Sequence, residues 1–129
     1  MKNSLAIGCD HRGLALKHKI ASWILPPKNS RFGVSLINDV GIKKRTHGIL
    51  ICGSGFGMSI AANRHKHIRT AVCRSVKEVK IARQHNNINV LCIGADFTSF
   101  WRAKGLIRAF FLTDFEGGRH KKRLQKLSF

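Results

Sequence analysis

Apolar positions along this chain fall into short continuous runs separated by stretches in which apolar and polar residues recur at helical spacing. The runs LAIGCD (5–10), FGVSLINDVG (32–41), GILICG (48–53), IRTAVC (68–73) and NVLCIG (89–94) read as five strands. Between them, GLALKHKIASWIL (13–25) places Leu14, Leu16, Ile20, Trp23 and Ile24 mostly on one helical face and stops at Pro26-Pro27. MSIAANRHK (58–66) and VKEVKIARQH (76–85) read as two further helices. SFWRAKGLIRAFFLT (99–113) reads as a third, with a stripe of Phe100, Trp101, Leu106, Ile107, Phe110 and Phe111. After Phe115 the segment EGGRHKKRLQKLSF opens with a turn and continues as a basic segment of helical character.

Strands alternating with helices predict an α/β fold: a three-layer, Rossmann-like parallel sheet with helices on both faces, in a single domain spanning 1–129. One connection departs from the pattern. Only residues 41–47 join the second and third strands, whereas a parallel crossover needs about a dozen residues or more. The crossover helix is expected to be missing there, so the second strand pairs differently or stands outside the sheet.

Composition narrows the class. The chain has 129 residues, 43% of them hydrophobic, which suits one globular core. No apolar stretch reaches the roughly 18 to 20 residues of a membrane span, and the N-terminus turns polar too early for a signal peptide. A cytoplasmic protein without a membrane partner is expected. The four cysteines form no C-x-x-C pair and lie in or at the end of apolar runs, the pattern of reduced thiols on buried strands rather than of disulfides or a zinc site. The 24 Lys plus Arg against 6 Asp plus Glu give +18, a field that attracts phosphorylated metabolites and, through non-specific charge, nucleic acid.

The candidate chemistry lies in GILICGSGFGMS (48–59). A strand that ends in Cys52 and passes through Gly53, Gly55 and Gly57 into a helix puts bare backbone N–H groups and the positive end of a helix dipole beside a thiol. Such a field favours thiolate, whose ordinary pKa is about 8.5, and makes Cys52 a candidate base or nucleophile. The glycines alone are equally compatible with plain tight turns, because the dinucleotide-binding spacing is not met. Asp10 and His11 follow the first strand, and His85 with Asn86 are expected at the same end of the sheet, where His85 and Asn86 could equally serve as a helix cap.

Taken in order, GCDHRG, GILICGSGFGMSIAAN, IRTAV, ARQHNNINVLCIGA and EGGRHKKR closely resemble the type B ribose-5-phosphate isomerases, a family shared with the galactose-6-phosphate isomerase subunits. The resemblance covers nearly the whole chain. It implies an aldose–ketose isomerase that needs neither metal nor organic cofactor, acts on a phosphorylated sugar in the pentose phosphate pathway and moves a proton between C1 and C2 through an enediolate. On it, Cys52 matches the base, and Gly53, Ser54, Gly55, Phe56 and Gly57 match the backbone donors that stabilise the oxyanion. His85 matches the residue that opens the sugar ring, Asp10 its helper and Asn86 a substrate-binding amide. Arg119 and Arg123, supplied by a neighbouring subunit, would hold the phosphate together with His11. A homodimer with its sites at the subunit interface is implied.

The chain also departs from the family's pattern. It has GIKKRTH (41–47) where the resemblance implies a helix and a substrate wall, it has no tyrosine, and Asn87 stands where an aspartate is usual. Asp96 occupies the place of a basic residue. A carboxylate about 4 Å from a phosphate is unfavourable by several kcal/mol at an effective dielectric near 20, unless Asp96 instead caps the next helix. Two other functions compete with a ribose-phosphate isomerase. One is an inactive relative whose basic surface meets RNA or another polyanion, against which the aromatic residues look core-directed; the other is an isomerase of galactose or allose 6-phosphate.

Overall fold

A computed structural model describes residues 5–24 and 47–127 of the chain. The expected second strand, the Pro26-Pro27 stop and residues 41–46 of the connection lie outside the described residues, while His47 opens a strand.

Alternation along the strands sets the architecture. Strands β1 (Leu5–Cys9), β2 (His47–Cys52), β3 (Thr70–Val72) and β4 (Val90–Gly94) pair in parallel in the order β1-β2-β4-β3. Successive side chains point to opposite faces. Ile49 and Ile51 of β2 and Leu91 and Ile93 of β4 therefore enter one core, while Leu50, Val90 and Cys92 enter the other.

The first core is covered by three helices: α1 (Leu14–Ile24), α3 (Val76–Asn86) and α4 (Phe100–Leu112). Helix α2 (Phe56–Asn63) packs on the second through Ala62. The result is the three-layer, Rossmann-like α/β fold that the sequence predicts. A fifth helix, α5 (Arg119–Gln125), closes the described chain. Fully buried Phe110 anchors α4, and burying such a ring contributes about 2 to 3 kcal/mol.

The predicted α4 stripe is only partly correct. Ala103, Leu106, Ile107, Ala109 and Phe110 are buried, but Trp101 is 77% exposed. At 100° per residue Trp101 lies away from the face that 103, 106, 107 and 110 share. Its ring instead meets Lys104, whose Nζ is 4.6 Å from the Trp101 centroid and 5.0 Å from that of Trp23. Some aromatics thus stand at the surface among cations, contrary to the core-directed pattern expected.

Local chemistry sets the bounds of α3. Ser75 and Glu78 form a reciprocal capping box at its start, and Asn87 ends it in the left-handed region with φ 43°. Buried Arg83 ties this end down, donating to the carbonyls of Thr113 and Ile88 and to Asn87 Oδ1.

Candidate active site

Because the sheet is parallel, the carboxyl ends of all four strands open on one edge, where α/β sheets bind ligands. Cys52 is the last residue of β2 on that edge and is only 6% exposed. Its Sγ accepts a hydrogen bond from the Gly55 N–H at 3.1 Å. The sulfur thus turns into the glycine loop rather than into either apolar core.

The loop owes its shape to one glycine above the others. Gly55 adopts φ 85° and caps α2, and a Cβ there would come within 2.9 Å of Val72 Cγ1. Gly57, expected to be part of the same turn, lies inside α2 with open space where a Cβ would go. Ser54 Oγ accepts from the Phe56 N–H at 3.2 Å. With Gly55 and Phe56 engaged inside the loop, the N–H groups of Gly53, Ser54 and Gly57 are its remaining donors, next to the positive end of the α2 dipole.

Asp10 and His11 lie on the same edge. The Asp10 carboxylate accepts from the N–H groups of Arg12 (2.9 Å) and Gly13 (3.1 Å) and so caps the short 3-10 turn His11–Gly13, while the Asp10 N–H donates to the Ile51 carbonyl. His11 is exposed at the rim.

Asp96 does not cap the next helix. Ser99, not Asp96, caps α4, by accepting from the Arg102 N–H. The Asp96 carboxylate pairs with the Arg12 guanidinium, Oδ2 to Nη2, so its charge is matched within the chain.

His85 and Asn86 are not where the sequence placed them. They end α3, which runs antiparallel to the strands, and Asn87–Asn89 then lead into β4 from its amino end. The register pairs Val90 with Gly48 and Gly94 with Cys52. Four residue steps along β4, about 13 Å, therefore separate the His85 edge from the Cys52 edge. Nor do the two residues form the cap, since Asn87 does so with its N–H on the Arg83 carbonyl.

A second cluster gathers on this amino-end edge. The His85 ring stacks on His120, with centroids 4.2 Å apart and planes 9° from parallel. His120 is 5% exposed, and its Nε2 lies 3.4 Å from Glu116 Oε2. Burial, then the neighbouring His85 and Arg119, push the His120 imidazole below its ordinary value and favour the neutral ring. Arg119 and Arg123 lie one turn apart on α5, both exposed. A groove of about 1100 Å³, walled in part by Arg69, Asn86, Asn87 and Lys121, runs along a different face of α5, and neither arginine lines it.

Glu116 and His120 escaped the sequence reading, which took only the arginines from EGGRH; a His and a Glu four residues apart were the available signal. The ligand atoms of His85, Glu116 and His120 all lie within 4.8 Å of one another. The two imidazole planes are nearly parallel with ring centroids 4.2 Å apart, and in-plane lone pairs of stacked rings are poorly placed to meet at one ion. The other three cysteines are buried free thiols, and burial pushes Cys73 and Cys92 up to about 12.

No helix among the described residues is long and apolar enough to cross a membrane. A family model described as Ribose/Galactose Isomerase matches residues 5–127. Ribose-5-phosphate isomerase B of Escherichia coli (strain K12) is 35% identical over 145 residues, covering 96% of this chain and 93% of that protein. The probable ribose-5-phosphate isomerase B of Mycoplasma genitalium is 34% identical over 148 residues, covering 98% and 95%. Among solved structures, the Mycoplasma genitalium enzyme with bound ribulose-5-phosphate superposes with a TM-score of 0.87 at 33% identity, covering 98% of this chain and 95% of that one. A ribose 5-phosphate isomerase from Thermotoga maritima gives 0.90 at 29% identity, with 99% of both chains covered.

Proposed function

Because the chain belongs to the Ribose/Galactose Isomerase family, a family of sugar-phosphate isomerases, we propose that it interconverts ribose 5-phosphate and ribulose 5-phosphate with Cys52 as the base. The observation that carries this reading is the Gly55 N–H held against the Cys52 sulfur at the mouth of an amide-lined loop.

The chemistry follows from that geometry. The Cys52 thiolate takes the proton from C2 of the open-chain aldose. The C–H electrons form the C1–C2 double bond, and the former aldehyde oxygen becomes an oxyanion facing the N–H groups of Gly53, Ser54 and Gly57. Transfer of the O2 proton to O1 moves the charge to O2, and return of the Cys52 proton to C1 as the C2–O2 carbonyl forms leaves the ketose. No electrons leave the sugar, and no residue changes its redox state.

Ring opening needs an acid and a base near the anomeric centre, the role assigned to His85 with Asp10. These two residues lie on opposite edges of one chain, so the reading requires two copies. Cys52, Asp10 and His11 of one subunit would meet the partner's His85, Asn86, Arg119 and Arg123. Helix α2 supports this arrangement: Phe56 (52% exposed) and Ile60 (68%) lie one turn apart beside the Cys52 loop, an apolar face suited to burial against a second copy.

Turnover of ribose 5-phosphate, followed as ribulose 5-phosphate formed, tests the proposal directly. The wild-type chain converts it and Cys52→Ala does not; a folded wild-type protein that leaves the sugar unchanged sinks the reading.

A further inference from the structure

Arg12 has no part in the mechanism above, yet its side chain lies on the catalytic loop. A Cβ built on Gly53 would come 2.9 Å from Arg12 Nε and 3.0 Å from Cζ, so the guanidinium rests across the backbone of the residue that follows Cys52. Its far end is fixed by Asp96, on the turn after β4. The Asp96 carboxylate also flanks Gly53, 3.1 Å from the same Cβ position. One ion pair thus spans the loop from the end of β1 to the end of β4.

Stability does not explain the arrangement. The two side chains are 59% and 46% exposed, and pairs in that setting contribute about 0 to 1 kcal/mol. Binding explains it better. A guanidinium carries five N–H donors in a rigid fork, and Asp96 engages it through Nη2, leaving donors for a ligand on a side chain that is largely exposed. Those donors stand beside the Gly53 backbone and in the same short turn as His11. An exposed planar fork at the rim suits a phosphate dianion, whereas the loop amides below suit the oxyanion that forms over the sulfur.

Resting on the isomerase reading, we infer that Arg12, oriented by Asp96, is a further phosphate-binding residue. It is contributed by the same subunit as Cys52 and grips the sugar phosphate from the side opposite the partner's Arg119 and Arg123. Asp96 is then the tether that aims the fork, and its own charge is cancelled by the group it holds.

The test must separate attraction by Arg12 from simple masking of Asp96. Inorganic phosphate binding is measured by calorimetry on the full chain for wild type, Arg12→Ala, Asp96→Ala and the double variant Arg12→Ala/Asp96→Ala. Loss of one charged hydrogen-bonding partner weakens phosphate about 10-fold in Arg12→Ala, and the double variant remains about as weak because the donor is still missing. With ribose 5-phosphate, Arg12→Ala raises KM while kcat changes little. Three outcomes overturn the inference: no measurable phosphate binding by wild type, unchanged affinity in Arg12→Ala, or wild-type affinity regained in the double variant. The pair is exposed, so melting curves of all four proteins should coincide within a few degrees. Phosphate binding is read without turnover, so a chain that binds phosphate through Arg12 but leaves ribose 5-phosphate unchanged would sink the isomerase reading and not this one.

Discussion

His85 lies flat against His120, ring to ring at 4.2 Å, on the edge of the sheet opposite the Cys52 thiol. The stack fixes the imidazole plane of the proposed ring-opening residue on the same edge as Arg119 and Arg123, while the proposed base stands on the other. On the proposed reading each chain carries two half-sites that cannot serve each other, and activity is expected only of paired copies.

Subunit mixing exposes that division. Cys52→Ala and His85→Ala should each be nearly inactive alone. When the two are unfolded together and refolded, half of the dimers are mixed, and each mixed dimer has one site with both lesions and one with none. About a quarter of wild-type activity should return, as expected for a two-fold interface. A mixture as dead as its components, with mixed dimers present by mass, would show that the two residues act within one chain.

The loop glycines should separate by backbone conformation. Gly55→Ala forces a side chain into φ 85° and against Val72, pulling the N–H away from the Cys52 sulfur. A loss of about 10²-fold in turnover is expected, the scale of losing one oxyanion-type donor. Gly94→Ala should be worse for folding, since its Cβ would sit 2.5 Å from the Ser54 carbonyl oxygen, a backbone atom that cannot step aside. Gly57→Ala meets nothing within 4 Å and should leave both stability and rate near wild type. Steady-state rates and urea titrations of the three variants check the order.

The contrast among these glycines also marks how far the sequence could be read. Strand runs such as GILIC and NVLCIG were legible because burial on both faces makes them apolar throughout, and the cysteine at the loop mouth followed from where such a run ends. Helix direction was the weak step. His85 and Asn86 precede a strand in the sequence, but a helix that returns antiparallel delivers them to the amino-end edge, away from Cys52. Trp101 was misplaced because apolar character was taken for burial. Arg12–Asp96 and His85–His120 pair residues 84 and 35 positions apart, 96 − 12 and 120 − 85, and no local pattern announces a contact of that kind.

Two histidines should make the fold acid-sensitive. Burial, then Arg83, lowers His47 from 6.5, and burial, then His85, lowers His120 from the same value. In both, the folded state holds the neutral ring and the unfolded chain takes up the proton more readily. Their contribution to stability is complete above about pH 6.5 and is lost as pH falls through the lowered folded-state values. Melting temperature should decline between pH 7 and about pH 5, and the slope should flatten in His120→Gln, which retains no titrating ring. A melting temperature level across that interval would contradict both assignments.

Arg83 is where a single substitution should uncouple one half-site from a fold that otherwise persists. Its buried guanidinium donates to the carbonyls of Thr113 and Ile88 and to Asn87 Oδ1, joining the end of α3, the start of β4 and the segment that leads to Glu116. Arg83→Met keeps most of the volume but leaves those acceptors without their donor in a place water enters poorly. A loss of about 2 to 4 kcal/mol in urea unfolding is expected, against under about 0.5 kcal/mol for Arg102→Met on the exposed surface of α4. Because His85 and Asn86 lie between Arg83 and Asn87, the damage should concentrate there. Hydrogen exchange in Arg83→Met should rise at the carboxyl end of α3 and in residues 113–118, with the Cys52 loop unchanged. Uniform exchange across both edges would mean that Arg83 supports the whole core rather than this one corner.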